Sequence, residues 1–281
     1  MKYKKIKSHA KINLALNVVG KTSSLHKIES IIAFVDLHDV IIIKKSNSKN
    51  HNITFSGKFS KNIKKKNTVS TLLEILEKKN LLNNKKFKII INKKIPNKAG
   101  LGGGSMNAAN ILKFFVKKKI INTNKKEVIE ISKLIGSDVI LGLNSTNSIL
   151  TAKNEIKFFK IRKKFFTLIV KPNFGCSTKD IYAKVRTFNK PKINQPEKKM
   201  FDLNYLKKMS NSLEQIAFSE YSKLKSIKIY LESLSKPFFV RMTGSGSALV
   251  AYFQSKESCL NAKKIVNKKY KNYWCIASKT I

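Results

Sequence analysis

Between Gly100 and Gly104 the chain sets four glycines in five residues, inside "IPNKAGLGGGSMNAANIL" (95–112), and turns at once into an alanine-rich helical pattern. The stretch "FKIIINKKI" (87–95) reads as a strand leading straight into them. Strand, glycine turn and helix start together aim backbone N–H groups and the positive end of a helix dipole at an anion, usually a phosphate. Glycine is needed because a side chain would hold the phosphate off and resist positive φ. A ligand-free flexible turn would not require three consecutive glycines, a serine at the helix start and the small Ala108 and Ala109. Two familiar phosphate loops are excluded by the letters. There is no G-x-x-x-x-G-K-[ST], and the sixth place of a G-x-G-x-x-G begun at Gly100 is Ser105.

Around this loop the periodicities describe an α+β chain. Residues 10–19 and 39–44 read as strands, with "IESIIAFVDL" a third between them, and a polar stretch follows that holds one short strand at 53–55. Val69, Leu72, Leu73, Leu76 and Leu81 form one apolar helical stripe, capped by Thr68 or Asn67. Helices are expected over 105–117 and 125–135, the latter ending at Gly136. "TLIVKP" (167–172) opens a second block with helices near 203–218, 222–234 and 256–268 and strands "ALVAYF" and "YWCIAS". The polar, proline-bearing "TFNKPKINQPEKKM" reads as a surface excursion. The simplest parse is two α+β domains, 1–155 and 156–281.

Composition constrains partners less than it first suggests. The formal net charge is +42, from 58 Lys plus Arg against 16 Asp plus Glu, but the excess is lysine scattered along the whole length. A dedicated nucleic-acid binder gathers arginine and aromatic side chains into a patch, since bidentate base contacts and stacking need them. The arginines are Arg162, Arg186 and Arg241 alone, so no specific nucleic-acid partner is expected. Cys176, Cys259 and Cys275 are odd in number and widely spaced, which fits reduced structural thiols rather than a disulfide framework or zinc site. The basic, then apolar N-terminus is interrupted by Asn13 and Asn17 and lacks a cleavage site, and no apolar run is long enough for a membrane span. The expectation is a cytoplasmic protein.

"IPNKAGLGGGSMNAA" resembles the P-x-x-x-G-L-G-G-G-S-S-N-A-A loop of the GHMP small-molecule kinases. "SHAKINLALNVVG", "LIGSDVILGL" and "FFVRMTGSGSALVAYF" resemble, in the same order, further blocks of the cytidine-diphosphate-linked sugar-alcohol kinases of the non-mevalonate isoprenoid pathway. The four blocks span nearly the whole chain. This resemblance implies the two-domain GHMP kinase fold, with an N-terminal ribosomal-protein-S5-like, ATP-binding domain and a C-terminal ferredoxin-like domain. It implies ATP as co-substrate with Mg2+, a small-molecule cytidine-diphosphate-linked substrate, and a monomer or weak homodimer. Homoserine and mevalonate kinases are the sibling alternatives.

It also implies roles. ATP would lie on Pro96, Asn97, Lys98, Ala99, Gly100, Leu101, Gly102, Gly103, Gly104, Ser105 and Met106, with the Ser105 hydroxyl close to phosphate or magnesium. Asp138, which its position alone equally allows to be a helix cap, becomes general base toward the acceptor hydroxyl. Lys11, alone between apolar neighbours, becomes its cationic partner, against the common alternative of a lysine snorkelling from an edge strand. Asn13 shares the face of Lys11. His26 falls on a histidine that contacts cytosine, and Thr178 and Tyr182 on positions where a hydroxyl meets the substrate and a ring stacks on the base. Gly244 and Gly246 are expected to shape a turn that lets the C-terminal domain close over the substrate. The chain departs from the pattern at Met106, where the family has a second serine, and at Ile140, where it has proline. It departs again at Ser23, Ser24 and Leu25, which stand for D-G-Y and remove one aromatic wall of the base pocket.

Overall fold

A computed structural model of the chain describes residues 4–23 and 25–281; Ser24 lies outside the described residues. In chain order the first elements are β1 (Lys4–Lys21), β2 (His26–Ser46), β3 (Asn52–Ser56), α1 (Thr68–Lys78), β4 (Lys86–Asn92), α2 (Gly103–Lys117), α3 (Lys125–Ile135) and α4 (Val139–Asn144). Next come β5 (Ser148–Leu150), β6 (Ile156–Phe158), β7 (Phe166–Lys171), α5 (Thr178–Ala183), α6 (Leu203–Lys208), α7 (Glu214–Glu220) and α8 (Ser222–Glu232). The chain closes with β8 (Phe239–Met242), β9 (Leu249–Phe253), α9 (Lys256–Lys269) and β10 (Trp274–Lys279).

The described residues form two compact units that a single cut near residue 155 does not separate. One gathers the chain up to Ala10 with Leu37–Asn97 and Gly102–Ser145; the other holds Lys11–Asp36, Lys98–Leu101 and Thr146–Ile281. The reason is the length of β1 and β2, 18 and 21 residues, each contributing to both.

In the first unit β4 runs antiparallel to the second half of β2, from Val40↔Asn92 to Ser46↔Lys86, and parallel to β3. A parallel pair needs a crossover, and α1 supplies it. That helix forms where its stripe predicts: Val69, Leu72, Leu73 and Leu76 are buried. Asn67 is the cap, its Oδ1 accepting the N–H groups of Val69 at 3.0 Å and Ser70 at 3.2 Å, while the Ser70 hydroxyl accepts Asn67 N–H at 2.9 Å. Ile41, Ile89, Ile91, Ile111 and Phe115 complete this core with α1.

In the second unit β7 pairs antiparallel with β10 and β9, and β9 with β8. β9 is buried along its whole length, and the core here joins Leu168, Val170, Leu249 and Ala251 to Leu224, Ile227 and Val266 of α8 and α9. The loop "TFNKPKINQPEKKM" is not simply a surface excursion, because it is tied down by Glu29. That carboxylate, fully buried, accepts the N–H groups of Lys192 at 2.7 Å and Ile193 at 3.0 Å, and Ile193 is buried with it. Burial pushes the Cys176 and Cys259 thiols up to about 11 and Cys275 to about 12. Among the described residues no helix is long and apolar enough to cross a membrane.

Candidate active site

In the first unit the glycine turn is held from below by one buried carboxylate. Asp39 accepts the backbone N–H groups of Lys94 at 2.7 Å and Ile95 at 2.8 Å, and Asn107 Nδ2 of α2 at 2.9 Å. It also pairs with the Lys93 ammonium. Asp39 thus fixes the end of β4 and the first turns of α2 at once. Sequence periodicity reads Asp39 as a strand-edge residue and misses this role; the signal was a carboxylate followed by "VIII".

Gly102 starts α2 in the left-handed conformation (φ 68°), and no side chain caps that helix. Side chains cap α1, α3, α5 and α9, namely Asn67, Asn124, Ser177 and Ser255, whereas α4, α6, α7 and α8 lack such a cap as α2 does; what sets α2 apart is that it starts on glycines. The first N–H groups of α2 therefore lack both an intrahelical acceptor and a cap. A β-carbon on Gly103 would come within 3.1 Å of Lys93 Nζ, and one on Gly104 within 3.1 Å of the Thr68 hydroxyl, which itself donates to the Gly104 carbonyl. Bare backbone, a helix start and accessible Gly102–Ser105 fit the phosphates of a nucleotide.

Met106 does not belong to that surface. Its side chain is fully buried and its N–H already donates to the Gly102 carbonyl at 2.9 Å. Its sulfur lies 3.1 Å from where a β-carbon on Gly142 would stand, and Ala109 Cβ 2.5 Å, so Met106 seats α4 on α2. Pro96 is also buried, and Asn97 turns its amide to the Phe59 carbonyl at 3.0 Å. At the other end of this seam, Asp138 occupies the position before α4, half-buried, and makes no capping bond to it. The helix-cap explanation of Asp138 is thereby removed.

In the second unit Lys11 is 4% exposed and donates to Asn13 Oδ1 at 2.8 Å, so it is not a snorkelling surface lysine. Asn13 Nδ2 donates to Ser30 at 2.8 Å, and the Asn13 N–H to the Thr243 hydroxyl at 3.1 Å. That hydroxyl sits 3.1 Å from the Gly100 carbonyl, which it can serve as donor. The remainder of the glycine stretch is held the same way: Lys11 N–H donates to the Leu101 carbonyl at 3.1 Å, and Ala248 N–H to Ala99 at 3.3 Å. Ala99 and Leu101 are buried, which leaves backbone rather than side chain for any ligand there; Lys98 is exposed. Asn211 fixes the Gly244 turn by donating to the carbonyls of Met242 and Gly244 at 2.8 and 2.7 Å.

His26 and Tyr182 meet with ring centroids 5.1 Å apart, and Thr178 and Ser245 share a hydrogen bond of 2.8 Å. Burial, then the nearby Lys21, hold His26 below the usual histidine range, which favours the neutral imidazole. Lys11 and Asp138 belong to different units, and each is placed within its own.

The chain's class follows from comparison with known proteins: residues 67–150 match the GHMP kinases N terminal domain, and the crystal structure of a 4-(cytidine 5'-diphospho)-2C-methyl-D-erythritol kinase superposes with TM-score 0.77 at 21% identity, covering 99% of this chain and 100% of that one. Homoserine kinase from Cytophaga hutchinsonii shares the fold at TM-score 0.68 and 15% identity, over 100% and 97% of the two chains. The fold is the GHMP kinase fold. The 4-diphosphocytidyl-2-C-methyl-D-erythritol kinase of Pelagibacter ubique is 57% identical over 277 residues, 99% of each chain, and that of Clostridium perfringens (strain SM101) 31% identical over 276 residues, 95% of this chain and 94% of the other. The chain belongs to the 4-diphosphocytidyl-2-C-methyl-D-erythritol kinase family.

Proposed function

We propose that the chain is an ATP-dependent kinase that phosphorylates the 2-hydroxyl of 4-diphosphocytidyl-2-C-methyl-D-erythritol in the non-mevalonate route to isopentenyl diphosphate. The observation that carries it is the uncapped glycine start of α2, a built anion cradle in a chain 57% identical to a relative of that name. Phosphoryl transfer asks little covalent chemistry of a protein; it asks that phosphates be held and the acceptor be aligned and deprotonated.

The backbone of Gly102–Ser105 binds the ATP phosphates. Mg2+, when bound, neutralises charge on the phosphate oxygens, and it needs only one or two protein ligands, for which the Ser105 hydroxyl is the candidate. Asp138 takes the proton from the 2-hydroxyl as that oxygen bonds to the γ-phosphorus and the bond to the β,γ-bridging oxygen breaks, releasing ADP. Lys11, oriented by Asn13, offsets the charge that develops. His26 and Tyr182 receive the cytosine, and Thr178 the substrate's polar groups.

A coupled ADP-release assay with ATP, Mg2+ and a panel of acceptors tests this. Turnover is expected with the cytidylyl substrate. Turnover confined to homoserine, mevalonate or galactose would reassign the chain to a sibling kinase.

A further inference from the structure

Phe188 is a large ring left 46% exposed on a segment with no regular structure, yet the residues just after it are fastened at Asn189, Lys190, Lys192 and Ile193. The N–H of Asn189 donates to the Val18 carbonyl at 3.0 Å, and its amide to Asn17 Oδ1 at 2.7 Å. Asn17 Nδ2 in turn donates to the Lys190 carbonyl at 3.2 Å and to Glu29 at 2.9 Å, and the Glu29 carboxylate closes the set with the N–H groups of Lys192 and Ile193. A buried carboxylate is costly unless its hydrogen bonds are made, and here they are made by this loop. The effect of that anchoring is to hold one exposed ring next to His26, with centroids 6.3 Å apart and planes at 53°. Tyr182 stands by the same imidazole at 5.1 Å.

Three part-exposed rings from β2, α5 and the anchored loop form one aromatic cluster. The position before His26, where the family has an aromatic wall, carries Leu25, an aliphatic side chain 65% exposed. We propose that Phe188 supplies the aromatic face that Leu25 lacks, stacking on the pyrimidine ring of the cytidine-linked substrate. A phenyl ring offers a flat π-face to any base, so it adds affinity while the polar edge of His26 supplies discrimination. The assignment rests on the cytidylyl substrate proposed above.

The test compares wild type with Phe188→Leu, Phe188→Ala and Phe188→Trp, by steady-state kinetics and by calorimetric titration with CDP. Phe188→Leu keeps the apolar volume and removes the π-face. It should raise KM for the cytidylyl substrate and Kd for CDP about five- to tenfold, with kcat, KM for ATP and the melting temperature little changed. Phe188→Ala should match or exceed that loss, and Phe188→Trp should stay within twofold of wild type. A wild-type enzyme that turns over the cytidylyl substrate while Phe188→Leu behaves identically overturns this assignment alone. So does an equal rise in KM for both substrates. A wild type that binds no CDP and phosphorylates another acceptor overturns the proposed function and, with it, this role.

Discussion

The carbonyl oxygen of Thr243 occupies the space that a side chain on Gly100 would need: a β-carbon there would stand 1.9 Å from it. Gly100 also lies at φ +72°, where other L residues are strained. The contact is backbone against backbone, so neither side can rotate away. Gly100→Ala should therefore displace the Thr243–Gly246 turn or the Lys98–Leu101 segment, at a cost of about 2 kcal/mol or more. The expected readout is a melting temperature several degrees lower and a raised KM for ATP. An unchanged melting temperature would show that the two segments yield to each other freely.

Met106 is explained by packing rather than by nucleotide contact. Its sulfur fills the space beside Gly142, where α4 comes closest to α2, and it has no exposed surface. Met106→Ser would open a cavity and bury a hydroxyl, which together cost about 2–4 kcal/mol. Thermal denaturation should register this as a clear drop in melting temperature, while KM for ATP in the folded variant stays within twofold. A variant of full stability with a tenfold higher KM for ATP would return Met106 to the nucleotide site.

Asp39 and Lys93 make a different prediction, because they are 54 positions apart and buried together, at 0% and 4% side-chain exposure. Asp39→Asn keeps the shape but places an amide group among donors and leaves the Lys93 charge unpaired. Breaking a buried pair from one side costs about 3–5 kcal/mol, whereas removing both partners costs much less. Denaturant titration should find Asp39→Asn severely destabilised and the double variant Asp39→Ala/Lys93→Met partly recovered. If the single variant unfolds at the wild-type midpoint, the pair contributes nothing.

What the sequence made legible was local. The α1 stripe and the glycine turn each announce themselves within fifteen residues or so, and the four family blocks give the candidate residues. Strand β2 is 21 residues long, yet it reads as two strands, because Asp36, His38 and Asp39 look like a polar break. Their partners are remote: Asp36 accepts Lys279 N–H at 3.2 Å, 243 positions away, and Asp39 reaches Lys94, Ile95 and Asn107. Glu29 and the loop it anchors, 163 positions on, are hidden for the same reason. Short α4 and α5, six residues each, are too brief to show a period.

Asp138 is where the proton transfer is tested. Asp138→Asn keeps the size of the side chain and removes the negative charge that a general base needs. If it is the general base, kcat should fall about 10²–10⁴-fold. Near-normal turnover in a stable Asp138→Asn enzyme would assign the proton to another group.

His26 sets the pH dependence expected of substrate binding. Burial first, and Lys21 second, lower its pKa from the ordinary value of about 6.5. A lowered value favours the neutral imidazole at pH 7, the ring taking up its proton at a lower pH than an ordinary histidine. One nitrogen then donates while the other accepts, a pairing suited to the polar edge of a base and lost on protonation. KM for the cytidylyl substrate should accordingly be flat through neutral and mildly alkaline pH and rise only on the acid side of the ordinary histidine range. His26→Gln, which keeps a donor and an acceptor without titrating, should remove that acid rise while retaining most of the affinity. A KM that improves as the pH falls through 6.5 would mean that the charged imidazolium is the binding form, reversing the assignment.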